Sequence, residues 1–94
     1  MADVEYEWDL AKAADNLRKH FVTFDMAIEA LEDPNAVVEP DPFWTEERWR
    51  TIGLSSQSIL FVVTTEPGDD TVRIISAREA TKHEKAIYDR QARS

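Results

Sequence analysis

Ninety-four residues, 43% of them hydrophobic and nine aromatic, suffice for a single domain over 1–94 with one modest core and argue against a disordered tail. The absence of cysteine excludes a disulfide frame and a thiolate zinc site, and His20 and His83 are too few for a metal cluster, so neither metal nor cofactor is expected. No apolar run approaches the ~18 residues of a membrane span, and the acidic start lacks a basic-then-apolar leader, so no membrane association and a cytoplasmic location are expected.

The net charge of −8 opposes general nucleic-acid binding, because affinity for phosphate comes largely from cations that release counterions. Its distribution is uneven. Met1 to Glu47 holds 13 acidic and 3 basic residues, a net of −10, whereas Arg48 to Ser94 holds 6 acidic and 8 basic, a net of +2. An acidic surface for a basic protein partner, beside a smaller cationic site, is one reading; simple solubility is the other.

In chain order, Val4 to Trp8 alternates as a short edge strand or an extended arm. Asp9 stands where an N-cap belongs, before a helix over 10–19 whose apolar face is Leu10, Ala13, Ala14 and Leu17. Asn16 falls near that face, placed to fasten a neighbouring backbone group, and His20 closes the helix. Thr23 caps a second helix from Phe24 to Leu31, which Asp33-Pro34 ends. Four strands follow, over Ala36–Glu39, Arg48–Leu54, Ser58–Thr65 and Thr71–Ala77, at the close intervals of an antiparallel meander. Ile59 to Val63 is apolar on both sides, as a doubly shielded middle strand would be. Thr81-x-x-Glu84 is a capping box for a last helix reaching about Gln91. The order predicts an α+β fold: two N-terminal helices, a four-stranded antiparallel meander sheet and one C-terminal helix, with the helices on one sheet face and the other face free.

Val72 to Arg78 draws attention because it carries two arginines about a strand-length apart. Strict alternation groups Arg73 with Ile75, and Val72 with Ile74 and Ser76. Arg48 and Arg50 share a side with Ile52 and Leu54, opposite Glu47, Trp49 and Thr51. Sorting that strand suggests a bulge near Trp49 or Arg50.

Tyr6-Glu7-Trp8-Asp9, then Lys12, Asn16, Lys19-His20, Val22, Phe24, Ala27, Asp33-Pro34, Glu47-Arg48, Ile52-Gly53, Arg73 to Arg78, Ala80-Thr81, Glu84 and Tyr88 together resemble the BrnT toxins of bacterial type II toxin–antitoxin systems. The resemblance implies a RelE-like fold and metal-independent cleavage of RNA by attack of the ribose 2′-hydroxyl. It also implies a BrnA-like antitoxin as partner, with operator DNA reached only through that antitoxin. Phe21 stands where the family commonly has glycine after Lys-His, so the turn there must form without one.

Such chemistry needs a base, an acid and cations for the phosphorane. Arg73 and Arg78, joined by Arg48, suit phosphate because a guanidinium holds two oxygens at once. His20 and Glu47 are the titratable groups for proton transfer, with orientation of an arginine the other role open to Glu47. Lys12 and Lys19 suit steering of RNA, and Tyr88 either stacks on a base, donates to phosphate or belongs to the core. Two further readings stand beside the ribonuclease: a catalytically weak or inactive homologue acting as a protein-binding module, and an unrelated hydrolase built on Glu47 and His20.

Overall fold

The computed structural model describes residues 4–42 and 47–93. Its elements are β1 (Glu5–Glu7), α1 (Leu10–His20), α2 (Phe24–Leu31), β2 (Val37–Pro40), β3 (Trp49–Leu54), β4 (Ile59–Gly68), β5 (Thr71–Glu79) and α3 (Lys82–Ala92). The expected α+β class holds, with two corrections. The sheet has five strands in the order β1-β5-β4-β3-β2, and β1 pairs with β5 in parallel, so the sheet is mixed. The helices also divide between its faces. Among the described residues, no helix is long and apolar enough to cross a membrane.

Directly opposed residues of paired strands point to the same face, which lets the register assign the packing. One face carries Thr51, Val62 and Ala77 in one row, with Leu60, Thr64 and Ile74 beside them. Leu60, Val62, Ile74 and Ala77 bury there against Val22 and against Phe24, Ala27 and Ala30 of α2, with Trp8 and Ala13 at the margin. Gly53 permits this packing: a Cβ added to it would stand 2.1 Å from the Ala30 carbonyl oxygen. The opposite face carries Val37, Ile52 and Phe61 in one row. These pack with Ile59, Ala80, Ile87 and Tyr88, so α3 covers the second face at that end. The both-sided apolarity of β4 thus has two covers.

Local chemistry fixes the helix ends. The Asp9 carboxylate accepts from the backbone N–H groups of Ala11 and Lys12, and Thr23 accepts from Met26. Thr81 and Glu84 form the reciprocal capping box of α3. The turn after α1 is left-handed despite the lack of glycine, with Phe21 at φ 57°. Asn16, buried in α1, does the work of a missing strand partner. Its amide donates to the carbonyls of Val22 at 3.0 Å and Ala77 at 2.8 Å, and its Oδ1 accepts from the Ala77 N–H at 3.1 Å. It thereby closes the edge of β5 beyond the point where three-residue β1 ends.

Asp33 joins three elements. Its carboxylate accepts from Asn35 N at 2.9 Å, Leu54 N at 2.8 Å and the Tyr88 hydroxyl at 2.5 Å. Burial works against ionisation of Asp33, but these hydrogen bonds outweigh it and hold the carboxyl below 3.8. Burial, with the Asp33 hydrogen bond and charge, pushes Tyr88 up from 10.0 to about 12. The contribution of Asp33 to stability is therefore complete above pH 3.8 and lost as pH falls through its lower folded value. That of Tyr88 is complete below pH 10.0 and lost as pH rises toward about 12. Tyr88→Phe is expected to cost about 2 kcal/mol at neutral pH by urea denaturation, as for a hydrogen bond to a charged group. It should also flatten the alkaline decline in stability.

Candidate nucleic-acid interface

The β4–β5 ladder slips between Val63 and Thr64: Val63 opposes Ser76, whereas Thr64 opposes Ile74, leaving Ile75 as the extra residue of a bulge. The irregularity expected near Trp49 or Arg50 is absent from the β3–β4 register, which is continuous from Trp49 to Leu54. It lies on β5 instead, and it changes which side chains meet. Strict alternation would send Arg73 and Arg78 to opposite faces. With Ile75 bulged, Arg73 opposes Thr65, Ser76 opposes Val63 and Arg78 opposes Phe61, all on one face.

Three rows therefore cross that face. Val37, Ile52, Phe61 and Arg78 form the row beneath α3; Glu39, Arg50, Val63 and Ser76 form the next; Thr65, Arg73 and Glu7 form the third. With strands ~4.8 Å apart, Arg50 stands about 10 Å from Ser76, and Arg73 and Arg78 flank Ser76 on its own strand. Arg48 precedes β3 and, by continued alternation, shares this face with Arg50; its carbonyl accepts from Asp41 N at 2.8 Å. Arg50 shares this face although the sequence reading did not name it as a candidate. The available signal was its alternation with Arg48.

Each of the three sheet arginines has a carboxylate partner, and the pairs differ in strength. Arg73 meets Glu7 through Nε at 2.8 Å and a terminal nitrogen at 2.7 Å, with about half of both side chains exposed. Such a pair is worth ~0–1 kcal/mol and yields readily to a phosphate. Arg50 meets Glu39 at 3.0 Å, while its Nε is buried with no hydrogen-bond partner among the described residues. Arg78 is the most committed. It grips Glu84 with both terminal nitrogens at 2.8 and 3.0 Å, donates to the Glu79 carbonyl, and lies 4.2 Å from the Phe61 ring centroid. The Arg78 hydrogen bonds, opposed by burial and helped by the Thr81 N–H, hold the Glu84 carboxyl below its ordinary value. Arg78 thus fastens α3 to the sheet as well as contributing charge.

At the sheet edge, Lys12, Asp15, Asn16, Lys19, His20, Ile75 and Ser76 line a cleft of about 170 Å³. Lys19 is paired with Asp15 at 2.9 Å, and Arg18 also contacts Asp15. Three expected site residues, Lys12, Lys19 and His20, come together here. Ser76 belongs both to this cleft and to the row of Arg50 and Val63, so it is the residue that cleft and arginine-bearing face share. Glu47 lies beside Arg48 before β3, exposed, and is not among the residues lining the cleft. Tyr88 corrects the expectation of a base contact: it is 6% exposed, packed with Ile52 and Ala80, and its hydroxyl is held by Asp33.

A small α+β domain with arginines, each paired to a carboxylate, across a half-covered mixed sheet is the class that fold and surface define. The sequence model of the ribonuclease toxin BrnT, of type II toxin–antitoxin systems, matches residues 8–84. The chain belongs to this family. A crystal structure of the Brucella abortus ribonuclease toxin BrnT shares the fold, with a TM-score of 0.60 at 22% identity, over 84% of this chain and 99% of that one. Comparison with curated proteins gave no match.

Proposed function

We propose that the protein is a single-domain, RelE-like endoribonuclease toxin acting in the cytoplasm, which cleaves RNA on the arginine-bearing face without a metal ion and is neutralised by a BrnA-like antitoxin. Operator DNA is reached only through that antitoxin. The observation that carries the reading is the Ile75 bulge, which gathers Arg73, Ser76 and Arg78 beside Arg50 on one face of the sheet.

In the reaction, a base takes the proton of the ribose 2′-hydroxyl, and that oxygen attacks the adjacent phosphorus. The bond from phosphorus to the 5′-oxygen breaks, an acid protonates the leaving oxygen, and a 2′,3′-cyclic phosphate remains. Arg73, Arg50 and Arg48 stabilise the charge on the phosphorane, because a guanidinium remains cationic throughout the reaction. Arg78 holds the edge of the site in place through Glu84. His20 is placed for proton transfer in the cleft beside Ser76, with Lys12 and Lys19 steering the strand, while Glu47 orients Arg48.

The test is incubation of purified protein with RNA in excess chelator. The expected result is cleavage to fragments ending in 2′,3′-cyclic phosphate; intact RNA, with folded protein that binds an antitoxin, would favour a noncatalytic binding module. The full engagement of Arg78 by Glu84 is the observation that gives this second reading its weight.

A further inference from the structure

α1 has two unlike sides. Lys12, Asn16, Lys19 and His20 line the cleft, whereas Leu10, Ala14, Leu17 and Phe21 form an exposed apolar seam whose centre lies about 145° away around the helix. Leu10 is 81%, Leu17 46% and Phe21 82% exposed. Their 4-3-4 spacing is that of a seam receiving the side chains of a second helix, and it runs about 16 Å. Phe21 holds its place in a left-handed conformation that costs a residue with a Cβ. Beside the seam, a groove of about 210 Å³ is lined by Trp8, Ala13, Ala14, Leu17, Thr23, Phe24 and Asp25, with no cation among them. Asp25 is exposed, and Asp9 lies at the start of the helix.

We propose that this seam is the docking surface for a basic amphipathic helix of the antitoxin. Leucine-like side chains would fill the 4-3-4 seam, and a lysine or arginine would meet Asp25. Charge selects this occupant over a second copy of the chain, since two molecules of net charge −8 repel. The groove and the cleft share no lining residue, so substitutions in the seam leave the arginine-bearing face intact. The identity of the partner rests on the toxin–antitoxin reading above, whereas the chemistry of the surface does not.

The test is titration of the full chain, followed by amide chemical shifts, with a synthetic helix of about five turns bearing leucines at 4-3-4 spacing and flanking lysines. A control peptide carries glutamates in place of the lysines. The expected result is perturbation centred on Leu10, Ala14, Leu17, Phe21 and Asp25 by the lysine peptide alone. Leu17→Asp and the more exposed Leu10→Asp should each weaken binding at least tenfold while RNA cleavage is unchanged, and Asp25→Lys should reverse the peptide preference. Equal binding of both peptides, perturbation centred elsewhere, no binding at millimolar peptide, or concentration-dependent self-association through these residues would each overturn the proposal. Wild-type protein that cleaves no RNA would count against the ribonuclease reading alone, since the titration reads the docking surface independently.

Discussion

Arg73→Ala is expected to lower the rate of RNA cleavage about 100-fold while leaving the fold intact, the loss typical of removing one preorganised donor to a developing oxyanion. The two consequences separate because Arg73 is half exposed and its partner Glu7 is about equally exposed. Breaking that pair costs at most ~1 kcal/mol of stability. Binding of single-stranded RNA should also lose about 0.7 from its logarithmic salt slope, the contribution of one phosphate contact. Glu7→Gln supplies the opposite sign: freeing Arg73 from its carboxylate should tighten RNA binding several-fold, a modest electrostatic gain at an exposed site. Arg78→Ala is less informative. It removes the two hydrogen bonds to Glu84 and the contact with Phe61, so lost activity and loosening of α3 would arrive together. An unchanged cleavage rate in folded Arg73→Ala would remove the strip from the reaction.

Asn16→Ala is expected to destabilise the protein by about 4 kcal/mol, a large share of the ~5–15 kcal/mol that holds a domain together. The substitution leaves the Ala77 N–H and the carbonyls of Ala77 and Val22 without their partner in a buried place. It therefore loosens the edge of β5 where the bulge begins. Asn16→Asp separates geometry from volume. A carboxylate can still accept from Ala77 N–H, but it faces two carbonyl oxygens that the amide had been donating to, so it should be at least as damaging as alanine at neutral pH. Chemical denaturation of the three proteins measures the order. Equal stability of wild type and Asn16→Ala would mean that the edge of β5 is closed by something else.

Local chemistry made much of the fold legible. Asp9, Thr23 and the Thr81–Glu84 box announce the helix starts, and Asn16 announces itself as a polar residue on an apolar stripe. Three features depended on partners remote in sequence. β1 is three residues long, and its parallel partner lies more than sixty residues away, so only a strand or an arm could be read there. The second cover of the sheet was written in Ile59 and Phe61, whose apolar side needs α3, yet the element order alone places all helices together. The bulge at Ile75 has no glycine or proline to mark it; alternation consequently separates Arg73 from Arg78, which the ladder unites. The residues named from the sequence include Arg73 and Arg78, which share a face, and Lys12, Lys19 and His20, which share a cleft; they omit Arg50 on that face and include Tyr88, whose burial only packing reveals.

The claim that RNA lies across the bulged face is tested most directly by chemical-shift mapping with a 2′-O-methyl RNA strand, which presents phosphates and bases but has no nucleophile to react. Perturbation is expected at Arg50, Arg73, Ser76 and Arg78 and along the Lys12–His20 cleft. Shifts confined to α2 and the covered face of the sheet, with those residues unmoved, would contradict it.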